Sequence, residues 1–251
     1  MAIKSGEDTF HQAKRGVVQD GLTFSIDTSI RNTRSATTIR SVAGNRNVSI
    51  FNGSEFNNSR GGFYKLDGTD DYFSIVENGS VPVANFPISI SCWFKTTTSS
   101  SVDSTIYMQT SKPSSSPEAN IVLSINTNHS SAASVVYSLR SGTNIEGLFD
   151  SSVTVTDGDW HNVVGVSSSS NNHKLYIDGD LIDSGTTDIG SISTYLTSVI
   201  GCYYQYNERR NRVTLNRFFN GDISRFSIYN KALTATEVAR NFKVTRHRFG
   251  V

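Results

Sequence analysis

The stretch that decides the fold runs from residue 159 to residue 183 and reads DWHNVVGVSSSSNNHKLYIDGDLID. Residues 160–166 and 173–177 are short runs rich in apolar β-formers such as Val, Ile, Tyr and Trp, which is typical of β-strands. Asp178-Gly179 then separates two short apolar pairs, and Asp-Gly is a strong signal for a two-residue hairpin turn. The run of Ser and Asn at 167–172 reads as an exposed loop tip. The stretch therefore predicts antiparallel β-structure.

Similar short apolar runs recur along the rest of the chain, with turn clusters of Ser, Asn, Asp and Gly between most of them. A further turn is expected at 67–70 and another exposed loop tip at 97–101. Many short strands joined by such turns predict an all-β fold, either an antiparallel sandwich or a barrel. The additional predicted strands are 22–26, 72–76, 88–94, 121–125, 134–139 and 226–229.

One helix is signalled near the end of the chain. Thr234 and Glu237 have the spacing of a capping box, with Thr234 as the N-cap, and Leu233 and Val238 stand where a hydrophobic staple places its two residues. We expect this helix to end between residues 241 and 244. The basic run Lys243, Arg246, His247 and Arg248 would then form a tail that is solvated or pairs with acidic groups on a partner.

Length and composition restrict the class of protein. The chain has 251 residues and a mass of 27.5 kDa, which fits one large all-β domain with its own core. A formal net charge of +1 gives no field that would bind nucleic acid, so no nucleic-acid partner is predicted. No stretch approaches the ~18 apolar residues of a membrane span, and the first residues lack the apolar run of a signal peptide. Cys92 and Cys202 lie in apolar runs and are expected to be buried thiols rather than a disulfide.

Three segments carry a family resemblance. Residues 159–163 with 175–179 resemble the central hairpin of laminin-G-like, concanavalin-A-like jelly-roll domains. Residues 219–238 resemble the closing strand and helix of that family, and LDGTDDY at 66–72 resembles its early turn. The resemblance implies an antiparallel β-sandwich of the jelly-roll type over residues 18–251, with one short C-terminal helix.

A narrower resemblance concerns the two ends. Residues 18–27 and 241–250 resemble laminin-G-like proteins of tailed bacteriophages. It implies a virion structural protein, made in the host cytoplasm and displayed on the particle as capsid decoration, with other capsid or tail proteins and further copies of itself as partners, and with host surface glycans as contacts. Residues 1–17 fall outside it and read either as an N-terminal docking arm or as a frayed terminus. The alternatives are a tail fibre or tail-associated host-binding protein, and a free carbohydrate-binding lectin.

Catalysis is not predicted. Retaining glycosidases need two carboxylates about 5 Å apart, which a Glu-x-Asp-x-Glu strand would supply. The seven Glu residues stand at 7, 55, 77, 118, 146, 208 and 237, so no two are within four positions of each other. His161, next to Trp160, is expected to be a packed, hydrogen-bonded structural residue, whereas His129, His173 and His247 are expected to be solvated. We therefore expect neither enzymatic activity nor an organic cofactor.

Two sets of residues remain as candidates for a binding site. Flat aromatic and paired polar side chains can hold a glycan, and Tyr and Arg are frequent in protein interfaces. The segment with that chemistry contains Tyr203, Tyr204, Tyr206, Arg209 and Arg210, and its alternative interpretation is a plain strand with a solvated turn. Carboxylates in turns can hold a structural calcium ion, although Asp residues in turns more often only bond to nearby backbone amides. The weak calcium candidates are Asp27, Asp71 and Asp222, together with the Asp67-Asp70-Asp71 turn.

Overall fold

Alternating apolar and polar residues build two antiparallel sheets whose apolar faces pack against each other. A computed structural model describes residues 16–30, 35, 37–75, 82–98, 104–111, 119–126, 134–149, 153–192, 195–207 and 212–251. Within these ranges the chain is an antiparallel β-sandwich with one C-terminal helix, as the sequence predicted. None of the helices described there is long and apolar enough to cross a membrane.

Each sheet has eight strands. In sheet 1 the order is β14 (Asp180–Gly185), β13 (Asn172–Ile177), β12 (Trp160–Ser169), β7 (Ile88–Lys95), β18 (Asn220–Tyr229), β5 (Phe63–Asp67) and β4 (Glu55–Asn57), and β1 (Leu22–Asp27) also pairs with β18. In sheet 2 the order is β11 (Asn144–Phe149), β10 (Ser134–Ser141), β9 (Ala119–Asn126), β8 (Ser104–Ser111), β15 (Tyr195–Ile200), β6 (Tyr72–Ser74), β3 (Asn47–Phe51) and β2 (Thr38–Arg40). A separate hairpin joins β16 (Tyr203–Asn207) to β17 (Arg212–Asn216).

The core lies between the inner faces of the two sheets. Large side chains such as Phe94, Phe226 and Tyr107 are fully buried there. Gly165 on β12 is required at one close approach, because a Cβ at this position would lie 2.5 Å from the ring of Tyr137. Cys92 and Cys202 are both buried free thiols, as predicted, and burial raises the pKa of Cys202 to about 12.

The predicted hairpin forms at residues 178 and 179. Asp178 and Gly179 both have positive φ, 52° and 92°, which is the geometry that favours Asp-Gly in two-residue turns. The prediction of a loop tip over 167–172 is wrong in its length. Because β12 continues to Ser169 and β13 starts at Asn172, the turn between them has only two residues.

His173 was predicted to be solvated, and the structure corrects this. Its ring is fully buried at the start of β13. Nδ1 lies 2.9 Å from the Ser167 hydroxyl, which in turn lies 2.8 Å from the Tyr137 hydroxyl, and Nε2 lies 3.0 Å from the Ser170 carbonyl oxygen. Because a buried polar ring must be hydrogen-bonded, these partners explain why the apparently polar loop belongs to the core. His247 is exposed as predicted, and His129 lies outside the described residues.

The helix, α1 (Ala235–Phe249), begins at the predicted capping box. Thr234 Oγ1 accepts from the Glu237 amide, and the Glu237 carboxylate accepts from the Thr234 amide. The helix does not end at 241–244. It continues to Phe249 and is capped by Gly250, whose φ is 82°. The predicted basic tail is therefore the last two turns of a helix, where cations interact favourably with the helix dipole.

Aromatic side chains dock the helix on the outer face of sheet 1. Phe249 stacks on Trp93 at 4.1 Å between ring centroids and also contacts Trp160 at 4.9 Å. Phe242 also stacks on Trp93, at 5.6 Å between ring centroids. We call these four residues the aromatic cluster. It explains the extra helical turns, because Phe249 is buried only if the helix continues that far.

The segment before β1 also packs on the helix. Val17 is buried, and the amide of Val18 donates to Asn241 Oδ1 at 2.8 Å. Arg240 Nε donates to the carbonyl oxygen of Gly16 at 2.9 Å. The last two residues of the predicted arm at 1–17 therefore belong to the folded domain, and residues 1–15 lie outside the described ranges.

Candidate binding groove

A second apolar layer forms on the outer face of sheet 2. The strands β16 and β17 cover side chains that point away from the core, among them Met108, Val122 and Val199. Tyr203 and Tyr204 pack against this layer with their rings partly buried. The hairpin thus gives this face of the sandwich a rim that the rest of the sheet lacks in the described residues.

An open groove lies beside the hairpin. Its volume is about 240 Å³. One side is formed by Phe51 and Tyr72, which are direct partners on β3 and β6 and whose rings stack at 4.6 Å with an interplanar angle of 3°. The opposite side and the floor come from the hairpin and from the outer face of sheet 2. The lining residues within the described part of the chain are Phe51, Tyr72, Ser74, Thr197, Val199, Tyr204, Val213 and Leu215.

The groove combines exposed apolar surface with hydroxyl groups. Phe51 is 38% exposed and Val213 39% exposed, and they are two of the four large apolar side chains exposed in the described chain. Burial raises the pKa of the Tyr72 phenol, and so do the nearby Cys202 and Tyr204. The phenol therefore remains protonated at neutral pH and can both donate and accept a hydrogen bond.

The predicted ligand-binding tyrosines separate in the structure. Tyr204 lines the groove, whereas the ring of Tyr203 lies 4.7 Å beneath the guanidinium of Arg217. Tyr206 lies in β16, and its side chain, like Arg209 and Arg210, falls outside what the structure describes. Sequence analysis missed Phe51 and Tyr72 as site residues. The one available signal was the position of both at the ends of short apolar runs.

Three of the acidic residues considered for calcium do meet. The carboxylate oxygens of Asp67, Asp70 and Asp71 lie within 4.8 Å of one another. Asp67 Oδ1 accepts the amides of Thr69 at 2.8 Å and Asp70 at 3.3 Å, and these bonds lower the pKa of Asp67. Burial and the neighbouring carboxylates raise the pKa of Asp71. The bonds from Asp67 to the backbone have the pattern of an Asx turn, which accounts for this arrangement of carboxylates without a metal ion. A structural calcium ion here stays a prediction.

Asp27 and Asp222 are placed elsewhere. Asp27 accepts from Arg225 at 3.1 Å and from Arg248 at 2.8 Å, so two guanidinium groups already neutralise its carboxylate. Arg248 was expected in a tail that is solvated or pairs with acidic groups on a partner, and its ion pair with Asp27 of the same chain corrects that expectation. Asp222 is half-buried on β18, which raises its pKa although Lys95 and Lys65 are near. Neither joins Asp71 in a cluster of three potential ligands within the described chain.

His161 is a packed, hydrogen-bonded residue, as the sequence predicted. Nδ1 lies 2.7 Å from Asp178 and Nε2 lies 3.2 Å from Asp157. Burial disfavours the charged ring, but the two carboxylates outweigh it and raise the pKa of His161. Asp178 also accepts the Asn162 amide, so the residue ties the hairpin turn to β12.

The two packed antiparallel sheets, with the helix on one outer face and the open groove on the other, define a jelly-roll domain. The family described as the concanavalin A-like lectin/glucanases superfamily matches residues 67–239. The chain belongs to this superfamily. No curated protein matches the sequence.

Solved structures with the same fold include binding domains of bacterial toxins. The binding domain of Paraclostridial Mosquitocidal Protein 1 is 17% identical, with a TM-score of 0.65 over 89% of this chain and 52% of that one. The binding domain of Botulinum Neurotoxin DC in complex with SialylT is 16% identical, with a TM-score of 0.65 over 90% and 52%. At these identities the likeness shows the fold alone. The chain spans about half the length of the structures that it matches.

Proposed function

We propose that this chain is a non-catalytic binding domain that attaches to glycans through the groove beside the β16–β17 hairpin. The observation that carries the proposal is the stacked Phe51–Tyr72 pair on an open outer face. Aromatic rings offer the apolar surface that sugar rings stack on, and a few well-placed hydroxyls then fix orientation. Membership of a superfamily that includes lectins supports the same function.

The two faces of the sandwich support a role in surface display. The helix and the segment from Gly16 cover the outer face of sheet 1, whereas the groove is on the outer face of sheet 2. We propose that the domain is a virion structural protein of a tailed phage, most simply capsid decoration, docked by the helix side with the groove pointing outward to host glycans.

A variant of the groove tests glycan binding. We expect Phe51→Ala to reduce affinity for the best ligand on a glycan array about tenfold, because one stacked ring is worth about 1 kcal/mol or more of contact. Both variants are made in the full chain. The control is Ile145→Ala, which removes a side chain that is 56% exposed on β11, away from the groove. Equal loss in both variants, or no binding by the folded wild-type chain, contradicts the proposal.

Protein composition of purified particles tests the proposed location. We expect mass spectrometry to find this chain at a copy number in fixed ratio to the major capsid protein, because decoration follows the symmetry of the shell. A low copy number would instead place it in a tail or tail fibre. Its absence from particles would contradict the virion role and favour a free lectin.

A further inference from the structure

We infer that the groove receives a single uncharged sugar ring rather than an acidic sugar. This inference rests on the proposed glycan-binding function and deepens it by naming the class of ligand. It differs from what the basic composition of residues 209–212 suggests, because the described residues that line the groove carry no basic side chain.

The charge of the groove is the first observation. Its eight described lining residues comprise aromatic, aliphatic and hydroxyl side chains, and none of them is a carboxylate, an amine, a guanidinium or an imidazole. A carboxylate or sulfate that entered would lose water without gaining a cation from the lining residues that the structure describes, and desolvating an unpaired charge is costly. A neutral sugar ring loses only hydrogen bonds to water, and the hydroxyl groups that line the groove can replace these.

The hydrogen-bonding groups are the second observation. Ser74 and Thr197 offer hydroxyls from the floor, and the Tyr72 and Tyr204 phenols offer two more from opposite sides. Hydroxyl groups both donate and accept, as sugar hydroxyls do. Burial, with Tyr204 and Cys202 nearby, raises the pKa of Tyr72, so this group does not become an acceptor-only phenolate.

The size of the groove is the third observation. Its volume of about 240 Å³ is below the roughly 300–1,000 Å³ of common small-molecule pockets. Phe51, which is stacked on Tyr72 and still 38% exposed, provides an apolar ring at its edge. The dimensions therefore fit one ring, with the remainder of a glycan chain outside.

Calorimetric titration of the full chain tests the inference. The probes are the methyl glycosides of glucose, galactose, mannose and N-acetylglucosamine, against sialyllactose and methyl glucuronide. We expect at least one neutral glycoside to bind at least tenfold more tightly than either acidic sugar. We also expect this affinity to be unchanged by added salt, because no charge pair is formed.

A charge-introducing variant sharpens the test. Val213→Arg places a cation beside the groove at a side chain that is already 39% exposed, and Leu181→Arg, at a position 52% exposed on β14, is its matched control. We expect only Val213→Arg to shift the preference toward the acidic sugars, by about fivefold, which corresponds to an exposed ion pair of about 1 kcal/mol.

The outcomes separate the inference from the function beneath it. Tighter binding of an acidic sugar that Phe51→Ala abolishes would overturn the inference and leave glycan binding in place. Binding that Phe51→Ala leaves unchanged would overturn both. No sugar binding together with a dimer that Phe51→Ala dissociates would also overturn both, and would make the groove a contact between copies of this chain.

Discussion

Replacing Asp27 with Asn is expected to lower the free energy of unfolding by about 3–5 kcal/mol, the usual cost of removing one partner from a buried ion pair. The carboxylate is almost completely buried and lies between the guanidinium groups of Arg225 and Arg248. Arg248 also donates to the Gly62 carbonyl oxygen and to the Ser224 hydroxyl. Without Asp27 two buried cations face each other with no anion, so β1, β18 and the helix lose a shared contact.

The same carboxylate gives the effect a pH dependence. Burial alone would raise the pKa of Asp27, but the two arginines and Ser29 outweigh burial and hold it below its ordinary value of 3.8. A depressed folded-state pKa contributes stability above the unfolded-state pKa, and this stability is lost as pH falls through the folded-state value. The difference between wild type and variant should therefore be constant from pH 7 to 5 and shrink below about pH 4.

Urea unfolding at several pH values measures this directly. Asp180→Asn is the matched control, because it removes the same charge from an exposed position on β14. A loss for Asp27→Asn no larger than for this control would contradict the account of the buried pair.

Replacing Phe249 with Ala is expected to cost about 3–5 kcal/mol, the range for removing a fully buried aromatic side chain. Phe249 is 2% exposed and lies between Trp93 and Trp160. The loss should be local at first, because the sandwich core does not include Phe249. We expect the last turns of the helix to detach before the sheets unfold.

Tryptophan fluorescence reports this detachment, since the only two Trp residues in the chain both belong to the aromatic cluster. Phe249→Ala should shift the emission to longer wavelength under conditions where circular dichroism still shows native sheet. Phe249→Leu keeps most of the apolar volume and should restore the wild-type emission in large part. An unshifted spectrum in Phe249→Ala would show that the helix is held without this ring.

Features set by neighbouring residues were predictable from the sequence. The Asp178-Gly179 turn and the Thr234–Glu237 capping box depend on contacts within a few residues, so their residue types suffice to identify them. The end of the helix was not predictable in this way. Its length depends on Phe249 meeting Trp93, which lies more than 150 residues earlier in the chain.

The groove shows the same limit more strongly. Tyr204 was identified because its segment is rich in Tyr, Arg and other polar side chains. Phe51 and Tyr72 form part of a site only through the pairing of β3 with β6. The Asp27–Arg248 pair likewise joins residues 221 positions apart. His173 was misassigned because its sequence neighbours are Ser and Asn. In this fold, two of those neighbours, Ser167 and Ser170, supply buried hydrogen-bond partners for its ring.

Chemical-shift mapping on the isotope-labelled full chain tests the central claim most directly. The ligand is the tightest-binding neutral glycoside from the titrations, added stepwise to saturation. We predict that the largest amide shifts fall on the groove at Phe51, Tyr72, Ser74, Thr197 and Tyr204. Shifts confined to the Asp67–Asp71 turn or to the helix side of the sandwich, with none in the groove, would contradict it.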